Sequence, residues 1–410
     1  MESARLIAGL LRMVRDLDLA EELAQDALVA ALEQWPGTGV PENPGAWLMA
    51  TAKRRAIDRL RRIKLAERKH EELGRELEAQ QETAMEAFHA ELDDPIGDDL
   101  LRLMFIACHP RLPPEARTAL TLRLLGGLTT GEIARAFLVP EATVAQRIVR
   151  AKRTLAEARV PFEGPRGAEL RDRLASVLEV IYLIFNEGYS ATAGEDWIRP
   201  GLCEEALRLG RILAGLVPQE PEAHGLVALM EIQASRLRAR VGPDGEPILL
   251  LDQDRGRWDQ LLIRRGLAAL EQALALAQAP GGPPGPYTLQ AAIAGCHARA
   301  RTAADTDWAR IAALYETLAR LTPSPIVELN RAVALGMASG PAAGLELVDA
   351  LASEPSLREY HLLPSIRGDF LAKLGRAREA RAEFQRAAGL ARNARERKLL
   401  LDRAAACGDA

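Results

Sequence analysis

Leu128-Thr-Thr-Gly-Glu-Ile-Ala-Arg-Ala-Phe-Leu-Val-Pro-Glu-Ala-Thr-Val-Ala-Gln-Arg-Ile-Val-Arg-Ala-Lys152 is the stretch on which the fold turns. Ile133, Ala134 and Phe137 mark the inner face of one short helix. Leu138, Val139 and Pro140 supply a tight turn, and Val144, Ile148 and Val149 mark the buried side of a second helix. Thr129 or Thr130 is placed to cap the first helix, where a hydroxyl satisfies a free backbone N–H. The pattern is that of a helix-turn-helix. Just upstream, Leu112-Pro-Pro-Glu-Ala-Arg-Thr-Ala-Leu120 opens a further helix with Pro near its first turn, where the missing N–H costs little. On the helix after the turn, Glu141, Thr143, Gln146, Arg147 and Arg150 fall on the exposed side, with Lys152 and Arg153 further along. These types suit base edges and phosphates: Arg donates to guanine, Gln pairs with adenine and Glu accepts from cytosine.

The rest of the chain supports a helical reading. Aromatics are only 4% of the 410 residues, while Ala, Leu, Arg and Glu dominate, which favours helix over strand. The expected fold class is all-α, and the length suggests two or three domains at roughly 150 residues each. Hydrophobic residues at 48% and charged residues at 27% exclude a disordered, collagen-like or membrane-embedded chain. Met1 to Leu23 lacks the unbroken apolar run of a signal peptide, and the uncharged stretch Gln272 to Cys296 is broken by prolines and glycines between Pro280 and Pro286. The four cysteines are far apart with no C-x-x-C pair, which argues against a disulfide framework and a zinc ribbon and for a reducing cytoplasm. Cys108 and His109 are adjacent without two further ligands nearby, so they read as structural rather than metal-binding. No phosphate loop, H-E-x-x-H or G-x-S-x-G motif occurs; the chain reads as a protein without cofactor or catalysis.

Net charge is −4, but the charge is segregated. Residues 40–64 hold seven cations against two acids, residues 66–99 hold twelve acids against three cations, and residues 101–160 hold ten cations against four acids. In the first of these modules, Leu17, Ala20, Leu23, Ala24, Ala27, Leu28, Ala31 and Leu32 recur at helical spacing, with Asp18, Glu21, Glu22, Asp26 and Glu33 on the outer side. The helix is expected to end at Trp35-Pro36-Gly37, before a loop from Gly37 to Pro44. A second helix through about Arg62 buries Trp47, Leu48, Ala50, Ile57 and Leu60 and exposes Lys53, Arg54, Arg55, Arg59 and Arg62, a surface that phosphates neutralise with release of counterions. Trp47, beside the loop, offers an aromatic face on which an unpaired base stacks; ordinary core packing is the competing reading.

Together these residues resemble the extracytoplasmic-function sigma factors of bacterial RNA polymerase. Asp16-Leu-Asp-Leu-Ala-Glu-Glu-Leu-Ala-Gln-Asp-Ala-Leu28, Asn43-Pro-Gly-Ala-Trp-Leu48 and Ala56-Ile-Asp-Arg-Leu-Arg-Arg62 resemble sigma region two, and Glu132-Ile-Ala134 with residues 139–153 resembles region four. The resemblance implies that Asp18, Glu21, Glu22 and Asp26 dock on core RNA polymerase. It implies that Asn43 and Trp47 capture an unstacked base of the −10 element of promoter DNA while Lys53, Arg54, Arg55, Arg59 and Arg62 hold the backbone. Thr130, Glu141, Thr143, Gln146, Arg147, Arg150, Lys152 and Arg153 would then read the −35 element. Melting would trap bases of an easily unstacked step. The expected domains are residues 1–65 (region two), 66–97 (acidic linker), 98–160 (region four) and 161–410.

The long C-terminal part follows a Pro/Gly hinge at Pro161 to Gly167. Tyr182-Leu-Ile-Phe-Asn-Glu-Gly-Tyr189 resembles a signature of the subgroup carrying a C-terminal tetratricopeptide-like domain, with Tyr182, Phe185, Asn186, Glu187 and Tyr189 either binding a signal, bracing the hinge or packing a core. Apolar helical segments follow, broken at Val217-Pro218, Val241 to Pro247, Pro280 to Pro286, Thr322 to Pro325 and Gly340-Pro341. From His361 onward, Gly368, Gly375, Ala380, Phe384 and Ala387 fall at the small and aromatic positions of an about 34-residue repeat. Such repeats stack into a surface suited to a protein or peptide partner. Two other readings stay open: a helix-turn-helix regulator that binds duplex DNA without polymerase, and a repeat scaffold whose basic modules are incidental.

Overall fold

The computed structural model describes residues 2–70, 96–137, 139–158, 168–191, 194–278 and 283–407. Most of the acidic connector, the turn residue Leu138 and the Pro/Gly hinge lie outside these residues. All regular elements among them are helices; β-structure is confined to two isolated bridges. The chain divides into two compact units, Met1–Val180 and Ile181–Ala410.

The first unit opens with three helices, α1 (Glu2–Val14), α2 (Leu17–Thr38) and α3 (Pro44–His70). Asp16 caps α2 by accepting from the Leu19 N–H at 2.9 Å, and Asn43 does the same for α3 through the Ala46 N–H at 3.0 Å. The interface is built on alanine: Ala20, Ala24, Ala27, Ala52 and Ala56 are fully buried, and their small side chains let the backbones approach beneath Leu6, Leu10, Leu23 and Leu48. Two expectations are corrected here. α2 runs through Pro36 to Thr38, and its apolar stripe stops at Ala31, leaving Leu32 76% exposed. α3 continues past Arg62 to His70 and buries Ala52 and Ala56, while Ala50 faces solvent.

Four more helices follow: α4 (Ile96–Ala107), α5 (Pro114–Leu124), α6 (Thr130–Phe137) and α7 (Glu141–Glu157). Thr129 settles the cap of α6. Its Oγ1 accepts from the Glu132 N–H at 3.2 Å, and Glu132 Oε2 reaches back to the Thr129 N–H at 2.7 Å, a reciprocal capping box. α7 buries Val144, Ile148, Ala151 and Leu155, one stripe at helical spacing. Val149 lies off that stripe and is 64% exposed, against its expected burial. α8 (Ala168–Tyr189) begins in this unit, and its first turns are held to α4 and α5 by a buried polar network. Arg173 donates to the Phe105 carbonyl at 2.8 Å, Ser176 to the Cys108 carbonyl at 2.5 Å, and Arg117 to Glu179 at 2.9 Å.

Among the described residues the second unit holds the end of α8 and ten α-helices: α9 (Pro200–Leu216), α10 (Pro221–Ala234), α11 (Gln260–Gln278), α12 (Pro286–Arg299), α13 (Trp308–Leu321), α14 (Pro325–Ser339), α15 (Pro341–Leu351), α16 (Leu362–Lys373), α17 (Ala377–Leu390) and α18 (Ala394–Ala406). Five of them start with Pro, whose fixed φ suits a first helical residue and whose absent N–H is not missed there. The breaks expected at Val217-Pro218, Val241 to Pro247, Thr322 to Pro325 and Gly340-Pro341 coincide with the connections between helices, while residues 279–282 of the break expected at Pro280 to Pro286 lie outside the described residues. Small residues set the packing distances. A Cβ on Gly368 would lie 2.9 Å from the Phe384 ring, and the Phe370 ring occupies the space opposite Gly336 and Gly344. Asn393, 1% exposed, ties the ends of the unit: it donates to the Ala191 and Asp196 carbonyls and caps α18.

Candidate nucleic-acid interface

On α2 the positions 18, 22, 26, 29 and 33 lie one turn apart and form a single face. Asp18, Glu22, Asp26 and Glu33 are exposed there, beside Val29 at 50% and Leu32 at 76% exposure. Acid and apolar surface are thus mixed on one solvent-facing helix, a composition suited to a protein partner. Glu21 does not belong to this face. Only 9% exposed, it receives Arg123 Nε from α5 at 2.9 Å on one oxygen and Lys152 Nζ from α7 at 2.8 Å on the other. Lys152 also reaches Asp18 at 2.5 Å. Burial works against the Lys152 ammonium, yet the hydrogen bonds and charges of Asp18 and Glu21 outweigh it and hold its pKa above the ordinary lysine value.

Among the cations of α3, Arg54, Arg59 and Arg62 are exposed, and Lys53 is half-buried. Arg55 is engaged: its guanidinium donates to the Asp26 carbonyl at 2.8 Å and lies 3.5 Å from the Asp26 carboxylate. Asn43 is occupied by the cap of α3 described above. Trp47 is half-buried and braced edge-on by Trp35, ring centroids 5.5 Å apart. The structure therefore brings Asn43 and Trp47 together at the start of α3, with the exposed cations further along it.

Along α7, Glu141, Gln146, Arg150 and Arg153 are exposed, while Thr143 and Arg147 are half-buried. Arg153 pairs with Glu157 at 2.9 Å on an exposed surface. Lys152 departs from the set, its ammonium being held by α2. Thr130 is half-buried at the first turn of α6.

In the second unit, Phe185, Glu187 and Tyr189 are buried, and Asn186 is exposed. Glu187 is paired with Arg199, the Phe185 and Tyr189 rings are stacked 5.7 Å apart, and the Tyr182 ring lies 5.5 Å from that of Tyr287. Gly188 sits where α8 meets α9; a Cβ there would lie 2.7 Å from the Cys203 backbone nitrogen. Burial pushes the Cys108 thiol up to about 12, so it is neutral and unreactive. Burial, with Arg173 and Arg111 nearby, pulls His109 down to about 4. No cluster of three metal-ligating side chains occurs among the described residues, and no helix there is long and apolar enough to cross a membrane.

Sequence reasoning missed Arg123, Arg117 and Arg173. The signal was present in α5, whose residues are buried on nearly every side, Arg117 among them. A cation on such a helix demands a partner, because an unpaired buried charge is costly.

A model of sigma-70 region 2 matches residues 2–65, one of sigma-70 region 4 matches residues 102–155, and one of a family of unknown function (DUF6596) matches residues 173–274. An uncharacterized protein of Rhizobium meliloti (strain 1021) is 45% identical over 396 residues, covering 95% of this chain and 90% of that one. Regions 2 and 4 imply binding to core RNA polymerase and promoter DNA, and they point to a non-enzymatic transcription factor. With both regions in order and this relative aligned across nearly its whole length, the chain belongs to the sigma-70 family and has the layout of an extracytoplasmic-function-like sigma factor with an extra C-terminal helical domain.

Proposed function

We propose that this sigma factor works in the cytoplasm, where it recruits core RNA polymerase to specific promoters, melts the −10 element with region 2 and reads the −35 element with region 4. The observation that carries the reading is a pair of exposed polar helix faces, Arg54, Arg59 and Arg62 on α3 and Arg150 beside Gln146 and the Glu157-paired Arg153 on α7, one on each sigma domain. The acidic and apolar face of α2 docks on polymerase. Trp47, braced by Trp35, receives a flipped base, and the α3 cations hold the adjoining backbone. In the described arrangement Glu21 and Lys152 occupy each other, so docking through Glu21 and phosphate contact through Lys152 require that pair to part. The second unit regulates this activity in cis or binds a protein or peptide partner. Its paired helices with small-residue and aromatic contacts, as at Gly368 and Phe384, support a tetratricopeptide-like reading.

The test is transcription by the full-length chain with core polymerase over a promoter library. Sequence-specific initiation is expected, and Arg147→Ala should weaken −35 recognition by about 1–3 kcal/mol without shifting the −10 preference. Polymerase left unbound, with tight duplex binding by the chain alone, overturns the proposal in favour of a polymerase-independent regulator.

A further inference from the structure

A cavity of ≈ 660 Å³ lies in the second unit among α11, α12 and the start of α13. That volume falls in the range of small-molecule sites, about 300–1,000 Å³. Its floor is apolar, made by Leu270 and Leu274 of α11 and Ala292 and Cys296 of α12. Burial raises the Cys296 thiol, so the floor carries no charge. At the mouth stand three exposed guanidinium groups, Arg299, Arg301 and Arg310. Among the described residues none of the three forms a salt bridge, although the Arg301 charge helps to lower the pKa of Asp305.

The two acids at the mouth are already engaged. Asp305 Oδ2 accepts from Thr302, from the backbone N–H at 3.0 Å and the hydroxyl at 2.8 Å. Asp307 caps α13 by accepting from the Arg310 N–H at 2.9 Å. Both carboxylates thus shape the turn between α12 and α13, and the three arginines are exposed at the mouth, Arg310 also donating toward the Cys296 thiol. The turn is also pinned from behind. Arg255 donates to the His297 carbonyl at 2.5 Å, the Ala300 carbonyl at 2.9 Å and the Thr306 hydroxyl at 3.2 Å. Its guanidinium stacks over Trp258 at 4.7 Å, while Trp308 meets the His297 ring edge-on at 5.1 Å. A rim fixed at both ends needs little ordering when a ligand enters, which removes one of the main costs of binding.

We propose that this cavity is a binding site for an amphipathic carboxylate, an apolar body seated on Leu270, Leu274 and Ala292 with its anionic head among Arg299, Arg301 and Arg310. A planar guanidinium pairs with a carboxylate through two parallel hydrogen bonds, and the apolar floor selects against small hydrophilic anions. The site stands independently of the sigma reading.

Calorimetric titration of the full-length chain with decanoate tests it, alongside acetate, which has the head without the body, and decyltrimethylammonium, which has the body with the opposite charge. Saturable binding of one decanoate is expected, with neither control competing. Arg301→Glu, at an exposed turn position, should weaken decanoate at least about tenfold, the loss of one charge-assisted contact. Ala292→Leu fills the floor and should abolish binding with the thermal transition retained. Absence of saturable decanoate binding, equal binding of the cationic amphiphile, or an affinity within about twofold in Arg301→Glu each overturns the proposal.

Discussion

Lys152→Gln is expected to tighten binding of core RNA polymerase in the absence of DNA by about tenfold or more. Lys152 makes two contacts with α2. The bond to Asp18, at 2.5 Å, ends on a carboxylate that is 74% exposed, so it contributes about 0.2–1 kcal/mol. The bond to Glu21, at 2.8 Å, joins side chains only 14% and 12% exposed, where a charge-assisted hydrogen bond contributes about 1.5–3 kcal/mol. The lower end applies, because Arg123 stays 2.9 Å from Glu21 after Lys152 is neutralised and no buried charge is orphaned. The total, about 1.7–2.5 kcal/mol, is the share that Lys152 adds, beside that of Arg123, to the free energy closing Glu21 and Asp18 to a partner, a factor of about 20–70 in the open fraction. The raised pKa of Lys152 means that its contribution is complete below the ordinary lysine range and fades only as pH rises through the raised value. Neutral pH therefore leaves the pairing intact, and salt weakens its exposed half.

The assay is equilibrium binding of the labelled full-length chain to core polymerase, run for wild type, Lys152→Gln, Glu21→Gln and the double variant. Glu21→Gln removes a proposed docking group and should bind more weakly. Adding Lys152→Gln to it should then help by less than about threefold, since the better-shielded contact is already gone. Lys152→Arg should stay close to wild type. An unchanged affinity in Lys152→Gln, or the same gain with and without Glu21, refutes the reasoning.

Three further outcomes follow from local geometry. Gly188→Ala places a Cβ 2.7 Å from the Cys203 nitrogen and 2.8 Å from the Leu202 Cβ, so the second unit should lose about 1–3 kcal/mol; Gly201→Ala, with nothing within 4 Å, should be neutral or stabilising in the same thermal melt. Thr129→Ala removes the capping box of α6 and should cost about 1 kcal/mol, read as a lower melting temperature and faster amide exchange along α6. Cys108, raised from 9.0 to about 12, keeps its proton in the folded state across a range where the unfolded chain loses it. The first unit should accordingly lose stability as pH climbs from 9.0 toward 12, and native Cys108 should resist alkylation at pH values where Cys407 reacts.

Most helix positions could be read from the sequence because they rest on local chemistry. Pro at a first turn and the inward positions Val144 and Ile148 each report on their own neighbourhood. Where a reading depended on two apolar residues side by side, it was less secure. Ile148 and Val149 cannot both face inward on a helix, and the structure buries Ile148. Leu32 repeats the spacing of the α2 stripe yet is 76% exposed, although Trp35 further along α2 still meets Trp47 of α3, so apolar spacing alone does not fix which side of a helix end is covered.

Glu21 marks the limit of that kind of inference. It follows Ala20 directly and precedes Leu23 by two, so helical periodicity alone assigns it to the rim of the acidic face. Its burial is made by Arg123 and Lys152, 102 and 131 positions further along the chain, and no sequence window contains all three. The packing of α1 against α4 and α5 holds region 4 alongside region 2, where those bonds form. The consequence reaches the function proposed above. A carboxylate assigned to polymerase docking and an ammonium assigned to promoter contact neutralise each other across the two domains, so each assignment depends on the other group being released. Sequence motifs identify both surfaces separately; the free energy linking them is a property of the folded unit, and the double-variant comparison at Glu21 and Lys152 measures it directly.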